Sequence, residues 1–152
     1  MSDTESRLEW PTGDFTQVPY RVYVDPALFE REQRQIFAGP TWHLVGLECE
    51  VAAPGAFVTA SIGTTPIVVS RTQDGQLRAF VNRCAHRGAR VVREIRGSRA
   101  VHTCIYHRWC YDAAGNLIGV PHERRADGQG GYPEDFAKTE YGLQGVRAEA
   151  HA

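Results

Sequence analysis

The 152-residue sequence has no apolar run approaching the ~18 residues that a membrane-spanning helix needs, so no helical membrane anchor is expected. Its start, Met1-Ser2-Asp3-Thr4-Glu5, lacks the basic and apolar regions of a secretory signal peptide, and a cytoplasmic location is expected. No charge sign dominates: 17 Lys plus Arg stand against 18 Asp plus Glu, so the overall balance points to neither nucleic acid nor an anionic membrane. Cysteine is sparse, with 4 residues, and in a reducing compartment a disulfide framework is not their expected use. The length is that of one domain with a core of its own.

What is present is organised around two short stretches, Cys84-Ala85-His86 and Cys104-Ile105-Tyr106-His107. Each offers one thiolate and one imidazole, and two Cys with two His in paired short spacings are a metal-ligand signal. Structural zinc accepts a Cys2His2 set, but its usual finger pairs Cys with Cys and His with His, three to five residues apart on a helix. Here each stretch mixes the two types. A two-iron cluster in which two Cys hold one iron and two His the other needs one ligand of each kind from each loop. Two ferric ions, two sulfides and two thiolates are neutral together, so reduction leaves a single negative charge. Imidazoles in place of two thiolates make the electron easier to accept. Cys49 and Cys110 lie outside this set and are expected to be small buried hydrophobes.

In chain order, residues 1–19 are polar with Pro11, Gly13 and Pro19, and are expected to form a flexible arm. A helix is predicted over 26–38, with Asp25 as N-cap, Pro26 at the first helical position and Gly39-Pro40 as the stop. From Thr41 the text turns to short apolar runs at 42–48, 56–61, 66–71, 77–82, 99–103 and 117–120. Gln73-Asp74-Gly75 and Ala114-Gly115-Asn116 are hairpin signals among them. The expected fold class is mainly β, an antiparallel β-sandwich or barrel, with the ligand loops projecting as a small lobe and an N-terminal helix. After Val120 the pattern fades, with a short helix expected around 133–138 and weak periodicity at 142–148.

The run Asn82-Arg83-Cys84-Ala85-His86-Arg87-Gly88, followed by Cys104-Ile105-Tyr106-His107-Arg108-Trp109, resembles the cluster-binding loops of aromatic-ring-hydroxylating oxygenases. In that family the loops belong to the N-terminal Rieske domain of the large (alpha) subunit. Trp42-His43-Leu44-Val45-Gly46, Pro54-Gly55, Gly63-Thr64-Thr65-Pro66 and Gly115-Asn116-Leu117 are similar too. The resemblance covers residues 20–147, with cluster loops at 82–90 and 104–111. It is greatest to the salicylate hydroxylase and anthranilate dioxygenase branch. It implies a Rieske [2Fe-2S] cluster held by Cys84, His86, Cys104 and His107, and electron transfer as the function. His107 would be the exit toward a mononuclear non-haem iron in the catalytic domain of a neighbouring large subunit. That domain is not within these residues, of which 148–152 would be its truncated lead. The chain alone would therefore have no catalytic residues and no hydroxylase activity.

The implied partners are a ferredoxin or reductase donor and a trimeric ring of large subunits, with or without a small beta subunit; a free-standing Rieske ferredoxin and a structural Cys2His2 zinc module stay open as alternatives. The resemblance places Arg87, Gly88, Tyr106, Trp109 and Tyr111 around the cluster. Tyr106 and Ala89 match the positions that carry a loop-stapling disulfide in high-potential relatives, and Trp109 stands where those relatives have a serine. A potential toward the low end of the ~-150 to +300 mV Rieske range follows. Tyr111 matches a tyrosine that bonds a cysteine sulfur, with a core aromatic as the other reading. Arg108 stands where the family has Gly, implying a different backbone angle or tolerated strain, and Ile105 replaces the commoner Pro. His102 and His107 have the spacing of the family's iron-binding pair, but the match is accidental because His107 is already committed. Residues 78–108 hold eight arginines against one acid, Glu94, which suggests either partly solvated loops with ion pairs to the catalytic domain or a steering surface for an acidic donor.

Overall fold

The computed structural model describes Trp10 and residues 16–123 and 131–151. Most of the expected arm, residues 1–9 and 11–15, lies outside the described residues. The chain divides into two compact units, Met1–His43 and Leu44–Ala152.

In the first unit a 3-10 turn, Tyr20–Tyr23, precedes helix α1, Pro26–Glu32, and the helix widens into a π-helical segment at Gln33–Phe37. Asp25 caps α1: its Oδ1 accepts from the amides of Ala27 and Leu28, at 2.9 and 3.3 Å. Those bonds, Leu28 foremost, hold the Asp25 carboxyl below its ordinary value. Pro26 at the first helical position lacks an amide that would have had no partner there.

Among the described residues the second unit holds eight strands: β1 Ala56–Ile62, β2 Thr65–Arg71, β3 Leu77–Val81, β4 Arg96–Ser98, β5 Val101–Thr103, β6 Cys110–Asp112, β7 Leu117–Gly119 and β8 Gly145–Val146. They form a five-stranded sheet in the order β4-β1-β2-β3-β8 and a three-stranded sheet β5-β6-β7, with antiparallel pairing throughout. Successive side chains of a strand point to opposite faces, and the large sheet is apolar on both. Phe57, Val68 and Phe80 face one core, which they share with Tyr111 and Leu117 of the small sheet and with Cys84, Cys104 and Trp109. Val58, Ile67, Val69, Ala79 and Val81 face the other, together with Val51. Burying a ring such as Phe57 or Phe80 contributes about 2–3 kcal/mol.

Both hairpin signals hold. Thr72 and Gln76 close the β2–β3 turn, where Gly75 donates to the Thr72 carbonyl at 3.0 Å. Asp112 closes the β6–β7 turn, its Oδ1 accepting from Ala114 and Asn116.

Three expectations fail. Residues 42–48 form no strand: Val45 packs against the second core, but Leu44 and Leu47 are exposed, Leu44 at 89%. No helix spans 133–138: a turn joins Phe136 to the Pro133 carbonyl at 3.0 Å, and a 3-10 turn follows at Lys138–Glu140. Cys49 is exposed and Cys110 only half-buried, where both were expected to be buried. No helix among the described residues is long and apolar enough to cross a membrane.

Candidate metal centre

The topology carries the two Cys/His stretches to strand ends. The first follows β3 of the large sheet, and the second is the tip of the β5–β6 hairpin. Since the two sheets share one core, Cys84 and Cys104 are both buried within it, at 4% and 1% exposure.

The loops are built alike. The Gly88 amide donates to the Cys84 carbonyl at 2.8 Å, and the Arg108 amide to the Cys104 carbonyl at 2.9 Å. Each cysteine amide in turn donates across the loop, Cys84 to Ala89 and Cys104 to Trp109, both at 2.8 Å. Closing such a loop requires a left-handed residue at the fifth position, and it is Gly88 at φ +70° in one and Arg108 at φ +55° in the other. A Cβ at Gly88 would meet nothing within 4 Å, so the requirement there is the backbone angle and not a close approach. Arg108 adopts the same angle with a side chain, which costs about 1 kcal/mol.

Asn82 is a residue that the sequence reading passed over. Its buried amide donates to the Val92 carbonyl at 2.7 Å and accepts from the Val91 and Val92 amides at 3.0 and 2.9 Å. It thereby pins the strand before the first loop to the segment after it. A polar amide directly ending an apolar strand, with no turn to serve, was the available signal.

The two imidazoles lie side by side, their ring centroids 4.6 Å apart; His86 is exposed and His107 half-buried. Trp109 stacks on His86 at 4.9 Å and 8°. Behind it stand Tyr132, Phe136 and Tyr141, and Tyr132 Oη lies 3.3 Å from the indole nitrogen that donates to it. Tyr132 and Tyr141 escaped the sequence reading, and Phe136 entered it only within the helix expected around 133–138. Tyr106 packs on His107, with centroids 3.8 Å apart. Arg87 is exposed, with no hydrogen bond or ion pair among the described residues.

The electrostatics suit neutral imidazole at His86, while the Cys104 thiol is held up overall. Burial pushes the Cys104 thiol up, but the amides of Tyr106 and His107 both donate to its sulfur and favour the thiolate. Desolvation, then the neighbouring charges of His107 and Arg87, hold His86 below its ordinary value, so it presents a lone pair. Tyr111 is fully buried, with Oη 3.2 Å from Cys84 Sγ and accepting from the Ala85 amide at 3.1 Å. Burial, and then Cys84, raise its pKa, so the hydroxyl keeps the proton that it can give to sulfur.

All four cysteines are free thiols. A single zinc ion needs about four donors around one point. Among the described residues no three His, Cys, Asp or Glu side chains converge in that way. Two facing thiols and two adjacent imidazoles form a two-and-two donor set, the kind that a two-iron group takes. His102 takes no part: it is fully buried between Phe57 and Phe80, with ring centroids at 5.2 and 6.2 Å, and burial lowers its pKa to about 4.

Comparison with known proteins agrees with this geometry. The Rieske [2Fe-2S] domain profile matches residues 41–138, a stretch that includes both loops. The chain belongs to the Rieske [2Fe-2S] domain family. It is homologous to the large subunits of ring-hydroxylating dioxygenases. The anthranilate 1,2-dioxygenase large subunit of Burkholderia cepacia is 47% identical over 149 residues, which cover 98% of this Rieske chain and 35% of that protein. The large oxygenase component of a Ralstonia sp. salicylate 5-hydroxylase is 38% identical over 146 residues, covering 93% and 34%. A solved naphthalene 1,2-dioxygenase variant bound to phenanthrene matches with a TM-score of 0.76 at 36% identity, covering 86% of this chain and 28% of that one. The Rieske chain thus spans about a third of the length of the curated relatives it matches.

Proposed function

We propose that this chain is the electron-transfer domain of an aromatic-ring-hydroxylating oxygenase large subunit. In this reading Cys84 and Cys104 hold one iron of a [2Fe-2S] cluster and His86 and His107 the other. The observation that carries it is the pair of matching loops, which brings two buried thiols together and sets two imidazoles 4.6 Å apart at their centroids. When bound, the cluster supplies one-electron chemistry.

The chain's own residues do the rest. The Tyr106 and His107 amides favour negative charge on the Cys104 sulfur, and the Tyr111 hydroxyl on that of Cys84. Trp109 and its aromatic neighbours keep water from one face of His86. His107 is the exit toward a mononuclear iron in a neighbouring subunit's catalytic domain, and a ferredoxin or reductase is the donor. The names of the similar large subunits, with anthranilate and salicylate in them, suggest an aromatic acid as the whole enzyme's substrate.

Iron and acid-labile sulfide analysis with an EPR spectrum of the reduced protein tests the cluster. Two irons and two sulfides per chain, with a Rieske signal that disappears in Cys84→Ser, are expected. A colourless protein that binds one zinc would overturn the reading. Hydroxylation by the purified 152-residue chain would overturn the assignment of oxygen chemistry to another domain.

A further inference from the structure

Beside Cys104 lies a cavity of about 300 Å³ whose walls include Arg93, Arg99, Arg108, Glu94 and Ile105. Three guanidinium groups face one carboxylate, and that carboxylate is occupied: Glu94 Oε1 lies 2.9 Å from Arg99 Nη2. Arg93 and Arg108 have no ion pair among the described residues, which leaves two unneutralised positive charges at one opening. Arg108 holds its position at φ +55°, where glycine would sit without strain, so the loop tolerates strain and the charge stays beside Cys104. The surroundings are not merely ionic. Ile105 is 61% exposed at the cavity and Ile95, next to Glu94 in the chain, is 75% exposed. Apolar side chains beside a basic hollow fit a protein surface better than a free anion.

We infer that this cavity receives a carboxylate of an acidic electron-donor protein and is the inlet for electrons that leave by His107. The inference rests on the proposed electron-transfer function and adds to it the place and the chemistry of docking. One electron passes from the donor's reduced iron-sulfur cluster to one ferric ion held here. No covalent bond forms or breaks.

The test uses the 152-residue chain with its cluster verified by EPR, and an oxidised, acidic plant-type ferredoxin as the probe in titration calorimetry. At about 20 mM ionic strength Arg93→Glu is expected to weaken binding by roughly tenfold, and Arg93→Gln by about threefold. The control Arg78→Glu, the same charge reversal on β3 outside the cavity, is expected to change it less than about twofold, and at about 500 mM all differences should collapse. In stopped flow the rate of reduction by the reduced ferredoxin should fall in the same order. The rate with reduced methyl viologen, a cation, should not fall.

Equal affinity of Arg93→Glu and wild type would overturn the docking site while leaving the cluster reading intact. So would an equal loss in Arg78→Glu, which would make net charge the cause. Binding of acetate with no binding of ferredoxin would reduce the cavity to an anion site and overturn it too. If the chain holds no iron-sulfur cluster, the proposed function falls, and the inlet with it.

Discussion

Tyr111 stands between two partners, and their chemistry fixes its direction. Because Oη already accepts from the Ala85 amide, its proton is free for the Cys84 sulfur, where negative charge grows on reduction. A bond that favours the reduced state by about 1.4 kcal/mol is worth roughly 60 mV for one electron. Tyr111→Phe is expected to lower the midpoint potential by that order in film voltammetry, and an unmoved potential would leave Tyr111 as a core aromatic only. Asn82→Ala strips three hydrogen bonds from a buried site and leaves backbone groups unpaired, so a loss of about 3 kcal/mol is expected in urea unfolding. Arg108→Gly should act the other way and stabilise by up to about 1 kcal/mol, since relief of the left-handed angle exceeds the entropy of a new glycine only slightly. Glu94 tests the ion pair at the cavity: Arg99, first among its causes, lowers its carboxyl to about 2. A depressed carboxyl stabilises the fold above its unfolded value near 4.5 and loses that contribution as pH falls toward 2. Carbon NMR should place the Glu94 midpoint near 2 in wild type and closer to 4.5 in Arg99→Gln.

At the scale of elements, what could be read from the sequence was what repeats at short range. β1, β2 and β3 were legible because alternating β-branched and aromatic residues are bounded by glycine turns. β6 was not, since Cys110-Tyr111-Asp112 is three residues long and follows directly on a ligand loop, leaving no period to count. Residues 42–48 misled for the opposite reason: apolar content is present, but strand formation requires a pairing partner that composition cannot reveal. The segment 133–138 packs Phe136 edge-on against Trp109 instead of forming an amphipathic helix, a tertiary preference outside the reach of local propensity. The β1–β4 contact offers a further test. A Cβ at Gly97 would lie 2.8 Å from the ring of Phe57, which is fully buried, so Gly97→Ala should destabilise by about 1–3 kcal/mol in thermal or urea unfolding.

For the molecule as a whole, the four expected ligand residues were readable because metal chemistry demands particular side chains at particular spacings. Their surroundings were not, because Asn82, Tyr132, Phe136 and Tyr141 reach the loops through the fold and not through the chain. The buried tyrosine also bears on a property of electron transfer that neither potential nor docking describes. The Tyr111 hydroxyl directed at the Cys84 sulfur sits in a packed core, already oriented before any charge arrives. Fixed by packing, that hydroxyl would have no need to turn when an electron is gained or lost. Its share of the reorganisation energy of the site would be correspondingly small.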